Sequence, residues 1–240
     1  MCGLVGVLSL GDQPVAGPAT LARMLGTIRH RGPDQFGIYR DARAGLAHAR
    51  LSILDLGGGQ QPIGNEDGTL WIVYNGEVFN HVELRPELEA RGHRFSTRTD
   101  TEVILHLYEE QGPDCLGRLN GQFAVAVWDA RQRRLFLARD RLGVRPLFYT
   151  VAGGYLLFAS EIKALLAHPA VRAEIDPASL NQVFTFWSTL SPRTVFRNIH
   201  EVPPGSYLVA SEDGVAIHSY WSLDFAGVDA RRSTGDYLEE

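Results

Sequence analysis

Lysine occurs once in this chain, at Lys163, and cysteine twice, at Cys2 and Cys115. Two cysteines cannot supply a disulfide framework or a zinc site, and a reducing compartment is expected. The other basic side chains are arginines, scattered without a basic block, and the formal net charge is -5. No nucleic-acid footprint is expected from that balance. No apolar run approaches the ~20 residues of a membrane-spanning helix. The apolar start is broken by Gly11-Asp12 and has no basic segment before it, so no secretory signal is expected. Residue 2 is not glycine, which excludes myristoylation. A soluble cytoplasmic protein is expected, without nucleic-acid or membrane partners.

What remains is ordinary globular composition: 240 residues, 45% hydrophobic and 21% charged, enough for one large domain or two small ones. Val5–Leu10, Leu46–Ile53 and Leu70–Tyr74 read as strands, the last running into an Asn75-Gly76 turn dipeptide. Gln122–Trp128 and Arg134–Arg139 read as a pair around Asp129-Ala130-Arg131, and further strands fall at Leu147–Tyr149 and Tyr155–Ala159. Tyr207–Val209 and Ile217–Tyr220 read as a closing hairpin. Helices are expected over Pro18–Ile28, Val82–Arg91, Glu161–Leu166 and Ala178–Phe186. Thr99-Asp100-Thr101-Glu102 has the form of a capping box before a further apolar helix. Consecutive strands among few helices indicate an α+β fold with layered sheets rather than an alternating βαβ sheet.

Cys2 is the most informative residue. Removal of Met1 would leave a thiol and a free α-amine on one residue. Their reference pKa values, about 8.5 and about 7.7–8.0, let the amine take the thiol proton near neutrality. That is a nucleophile carrying its own base. Taken alone, Cys2 reads better as a small buried hydrophobe.

Other segments decide between these readings. They are Cys2-Gly3-Leu4-Val5-Gly6, His30-Arg31-Gly32-Pro33-Asp34, Arg50-Leu51-Ser52-Ile53, Asn75-Gly76-Glu77-Val78-Phe79-Asn80 and Asp100-Thr101-Glu102. Arg139–Leu147, Ala159–Leu165 and Pro203–Tyr207 follow. In this order they resemble class II glutamine amidotransferases, which are N-terminal-nucleophile hydrolases. Arg31-Gly32-Pro33-Asp34 is most similar to the glutaminase domain of glutamine-hydrolysing asparagine synthetases.

The resemblance implies an Ntn-hydrolase four-layer αββα sandwich with two antiparallel sheets. It covers residues 1–221 as a glutaminase domain, with 222–240 expected as a linker and the start of a synthetase domain. No Ser-Gly-Gly pyrophosphatase loop is present, so that ATP-dependent domain is expected outside these residues. ATP and Mg are implied for the synthetase domain and no cofactor for the glutaminase. Glutamine and the synthetase domain are the implied partners, and a homodimer is left open.

By the same resemblance Cys2 attacks the glutamine amide carbon, and Asn75 and Gly76 offer oxyanion donors. Arg50 suits the α-carboxylate, Asp100 and Glu77 the α-ammonium, and backbone groups near Leu51 and Ile53 line the pocket. Arg31 and Asp34 either order the closing loop or form a structural salt bridge. His30 and His48 show no metal-ligand spacing, and no metal is expected. Two other readings are a non-catalytic regulatory relic, which would be expected to lose Cys2 first, and a hydrolase for another amide, disfavoured by the Arg50 and Asp100 pairing.

Overall fold

The computed structural model describes residues 1–225 and 233–238. In chain order the first elements are β1 (Gly3–Ser9), α1 (Pro18–Gly26), β2 (Gln35–Arg40), β3 (Ala44–Arg50), β4 (Ile63–Gly64) and β5 (Leu70–Val78). Then come α2 (His81–Ala90), α3 (Asp100–Gln111), β6 (Gly121–Asp129), β7 (Arg134–Arg139), β8 (Phe148–Ala152) and β9 (Tyr155–Ala159). The last are α4 (Ile162–Leu166), α5 (Pro177–Phe186), β10 (His200–Glu201), β11 (Ser206–Ser211), β12 (Gly214–Ser219) and α6 (Thr234–Leu238). The expected linker over 222–240 falls largely outside the described residues.

All seven residues of β1 are buried, which requires a layer on each face. Its side chains alternate accordingly: Leu4 and Leu8 enter one apolar cluster, Val5 and Val7 another. The outer cluster packs Leu21, Met24 and Leu25 of α1 and Leu165 of α4 onto Val5, Val7, Ala47 and Leu157. The middle cluster joins Leu4, Leu46 and Phe158 to Val73, Trp128 and Leu137 across two sheets. A third seats Leu84 and Leu88 of α2 and Val103, Ile104 and Leu107 of α3 on Ile72, Tyr74 and Val125. The order is helix, sheet, sheet, helix. One sheet runs β10-β8-β9-β1-β3-β2 and the other β12-β11-β7-β6-β5-β4, and every pairing is antiparallel. This is the four-layer αββα sandwich of the Ntn hydrolases.

His48 ties the two sheets together. It lies on β3, fully buried, and its Nε2 is 2.8 Å from the Tyr74 carbonyl on β5. Burial holds its pKa down at about 4, against the opposing pull of that hydrogen bond. The ring is therefore neutral at pH 7 and donates through Nε2–H.

Four sequence expectations need correction. Asn75-Gly76 is not a turn: β5 continues through both to Val78, with Asn75 opposite Ala124 and Gly76 opposite Phe123. Glycine is required there because β6 comes too close; a Cβ would lie 2.2 Å from the Gln122 carbonyl oxygen. The strand expected to reach Ile53 ends at Arg50, because beyond it Leu51 serves the Cys2 thiol and the Ser52 N–H donates to Asp34 Oδ2 at 2.8 Å. The capping box is absent: Thr99 makes no side-chain cap, and Glu102 reaches back to Ser96 and Thr97 instead. The strand at Gln35–Arg40 was not anticipated; it is a half-exposed edge that follows a turn-rich segment.

Candidate active site

Cys2 stands one residue before β1, at the end where β1 pairs with β3. The Leu51 N–H donates to its sulfur at 3.4 Å, and the thiol lies 3.6 Å from the Leu51 carbonyl. Arg31 anchors the terminus: its Nε–H donates to the Cys2 carbonyl at 2.9 Å and its Nη1 meets Glu161 at 3.0 Å. Arg31 is thus a buried structural pair rather than a lid residue, and His30 shares the same carboxylate at 2.9 Å. Gly32 lets this segment cross the end of β3, since a Cβ would lie 2.3 Å from the Ala49 carbonyl oxygen.

Burial pushes the Cys2 thiol pKa up; the Leu51 amide, the terminal ammonium and Arg50 pull it down, and Glu77 pushes it up. Burial prevails, so this thiol needs a base to ionise near neutrality.

The facing wall is the edge of β5. The Tyr74 N–H donates to Gln61 Oε1 at 2.6 Å and the Val78 N–H to Asp100 Oδ2 at 2.9 Å. Strand geometry repeats every two residues, so the Gly76 N–H points off the same edge, between them. Asn75 is 1% exposed, and its side-chain Nδ2 has no hydrogen-bond partner. A buried amide donor with nothing to donate to is rare and costly. Asp100, at the start of α3, also accepts from the Tyr74 hydroxyl at 2.8 Å. Burial still raises its pKa, and burial together with Asp100 raises that of Glu77 beside it. Two carboxylates destabilised as anions form a receptor for a cation.

One cavity brings Cys2, Asn75, Gly76, Arg50, Leu51, Ile53, Glu77 and Asp100 together, with Met1 also on its wall. Arg50 is engaged differently from the sequence expectation. Its Nη1 donates to Gln35 Oε1 at 2.6 Å and to the Gly58 carbonyl; its Nη2 donates to the Leu54 and Asp55 carbonyls at 2.7 and 2.9 Å. The fork clamps the 54–58 loop, leaving no terminal N–H for a bidentate carboxylate. All four acceptors are neutral, so its positive charge still faces the cavity.

Arg145 is the residue that the sequence reading passed over. It lines the cavity, and its Nε is buried without a partner. Asp140 places it by accepting from the N–H groups of Phe123, Leu142, Val144 and Arg145 at 3.0–3.1 Å. The Arg139–Leu147 segment was visible in the sequence, but nothing in its spacing said which side chain would turn inward.

A four-layer αββα sandwich with the Cys2 thiol and the unpartnered Asn75 and Arg145 donors in one cavity has the fold of the Ntn hydrolases. The chain belongs to the glutamine amidotransferase domain family, whose sequence profile matches residues 1–221. It is 44% identical over 227 residues to the glutamine-hydrolyzing asparagine synthetase 3 of Bacillus subtilis, covering 93% of this chain and 37% of that protein. With the glutamine-hydrolyzing asparagine synthetase B of Escherichia coli the identity is 38% over 231 residues, covering 96% and 36%. The chain thus spans just over a third of the length of these curated relatives. The solved glutamine phosphoribosylpyrophosphate amidotransferase of B. subtilis superposes with a TM-score of 0.66 at 22% identity, covering 92% of this chain and 49% of that one. That likeness concerns the fold.

Proposed function

We propose that this domain hydrolyses glutamine to glutamate and ammonia with Cys2 as nucleophile, once Met1 has been removed. The observation that carries the reading is the buried, unpartnered Asn75 Nδ2 in the same cavity as the Cys2 thiol. Excision of Met1 frees the Cys2 amine, which takes the thiol proton. The thiolate attacks the carboxamide carbon, and the oxyanion meets Asn75 Nδ2 and the Gly76 N–H. The same amine returns the proton to the leaving nitrogen, and water then hydrolyses the thioester. Asp100 and Glu77 receive the α-ammonium of glutamine, and the Arg50 charge attracts its carboxylate. No cofactor enters these steps.

The ammonia passes to an ATP- and Mg-dependent domain that makes asparagine. The support is that relatives named asparagine synthetases extend well beyond the matched region. Phe184, Phe186 and Trp187, exposed by 80%, 57% and 93%, offer that domain an apolar surface at the end of α5.

The test is intact mass before and after diazo-oxo-norleucine, an electrophilic glutamine analogue. Loss of the Met1 mass and one adduct, absent from Cys2→Ala together with glutaminase activity, is expected. Full turnover with Met1 retained, or substantial turnover by a folded Cys2→Ala variant, would sink the assignment.

A further inference from the structure

Away from the cavity, four side chains from three segments converge. Glu66 lies in the β4–β5 connection, His93 just beyond α2, and His106 and Glu109 one turn apart on α3. One ligand atom from each lies within 4.8 Å of the others. His106 has 0% side-chain exposure, and neither ring nitrogen has a hydrogen-bond partner.

An imidazolium gripped by carboxylates would make charge-assisted bonds of about 2.7–2.9 Å. The separations here are longer. His106 Nδ1 lies 3.4 Å from Glu66 Oε2 and 3.6 Å from Glu109 Oε2; His93 Nδ1 lies 3.2 Å from Glu66 Oε1 and 3.9 Å from Glu109 Oε2. Ligands at zinc distances of about 2.0–2.1 Å stand about 3.3–3.4 Å apart along the edges of a tetrahedron. The two His106 edges, 3.4 and 3.6 Å, lie near that value and the His93–Glu109 edge is longer at 3.9 Å, while the 3.2 Å contact of His93 is to the other oxygen of Glu66.

The surroundings are built in the same sense. His106 Nε2 lies 3.8 Å from Glu102 Oε1, beyond hydrogen-bond reach, but His93 turns Nδ1 to the centre and backs Nε2 with Glu110 Oε1 at 3.3 Å. That is the outer support metal-binding histidines use. Asn65 Nδ2 donates to Glu109 Oε1 at 3.1 Å and the Arg94 N–H to Glu66 Oε1 at 2.9 Å, which leaves each carboxylate its second oxygen. The Glu66 and Glu109 side chains are each 32% exposed, which gives an ion a way in.

We propose that Glu66, His93, His106 and Glu109 bind one divalent transition-metal ion of the zinc class in tetrahedral geometry. The ion staples α3 to the β4–β5 connection and to the segment after α2. Two carboxylates neutralise its charge, and two nitrogen ligands at this spacing disfavour Mg²⁺, which demands an octahedron of oxygens. Asp100 opens the same helix, so the staple also bears on the cavity wall.

Cobalt(II) titration of chelator-stripped protein tests this, in the Cys2→Ala background so that no thiolate competes in the cavity. One equivalent should bind with the intense visible bands of tetrahedral cobalt, be displaced by zinc and persist in excess Mg²⁺. Zinc should also raise the Tm. His93→Gln and Glu109→Gln, at side chains 10% and 32% exposed, should weaken cobalt binding by more than about tenfold while circular dichroism shows the fold retained. Absence of stoichiometric binding, a pale octahedral spectrum, or binding untouched by both variants would overturn the site.

Discussion

Asp100 and Glu102 stand two residues apart on α3, both buried, yet their surroundings push them in opposite directions. Glu102 accepts four donors: the Ser96 N–H and hydroxyl at 2.7 and 2.9 Å, and the Thr97 N–H and hydroxyl at 2.6 and 2.7 Å. Burial raises its pKa, but His106 and these donors outweigh it and hold the carboxyl at about 2. Burial outweighs the hydrogen bonds that Asp100 accepts from Tyr74 and Val78 and leaves its pKa above the usual value. One carboxylate has its partners within the fold; the other awaits one. Two further buried donors without partners, Asn75 Nδ2 and Arg145 Nε, line the same cavity as Asp100. On the function proposed above, glutamine is the ligand that completes these groups, whereas Glu102, two residues away, needs none.

The strongest way to break this contrast is at Asn75. Asn75→Ala removes an unpaired donor, so its cost should fall on catalysis and not on stability. A fall in kcat of about 10²–10³ with an unchanged Tm is expected, as for loss of one oxyanion donor. An effect confined to KM would make Asn75 a binding residue only.

Glu102→Gln should do the reverse. Its amide nitrogen cannot accept, so the backbone N–H and the hydroxyl of either Ser96 or Thr97 lose their acceptor. A loss of about 2–3 kcal/mol at pH 7 is expected from thermal or urea unfolding, typical for hydrogen bonds to a charged group. Glutaminase activity per folded molecule should change far less. Equal losses in activity and stability would erase the distinction between the two acids.

Asp100→Asn comes next. The Asn oxygen still accepts from Tyr74 and Val78, so the fold should hold, and relief of a buried charge should leave the Tm at pH 7 unchanged or higher. Glutamine KM should rise about tenfold or more, the cost of one charge-assisted contact. A lowered Tm with KM intact would make Asp100 structural.

Much of this frame was legible in the sequence, because apolar periodicity is local: the strands at Gln122–Trp128 and Arg134–Arg139 appear as β6 and β7, and the closing hairpin as β11 and β12. The eight residues singled out for the site come from four separated segments and line one cavity. What escaped depends on contacts between remote residues. Asn75-Gly76 reads as a turn until β6 is known to press against it, and Arg50 reads as a free fork until the 54–58 loop closes over it. Thr99 and Glu102 have the spacing of a capping box, but Ser96 and Thr97 present stronger donors. Glu66, His93 and Glu109 form no recognisable motif, since the β4–β5 connection and the end of α2 meet α3 only in the folded chain.

Acid should separate the two carboxylates in the order of their shifts. A raised pKa means that Asp100 gains its proton early as pH falls, and Glu77, raised by burial and by Asp100, behaves alike. In the binding mode proposed above the glutamine ammonium needs both as anions, so KM should climb first, while the fold persists. Protonating Asp100 does not weaken the fold, because a raised folded-state pKa contributes stability at low pH that is lost as pH rises through it. Glu102 has the opposite sign. Its contribution is present above the unfolded value of about 4.3 and is lost as pH falls toward about 2. Glutamine KM and Tm, measured across the same pH series, should therefore diverge, with KM rising in mild acid and Tm falling only below about pH 4. In Glu102→Gln the part of that Tm decline due to Glu102 should disappear while the KM profile stays in place. A KM and a Tm that move together would mean that Asp100 and Glu102 share one structural role.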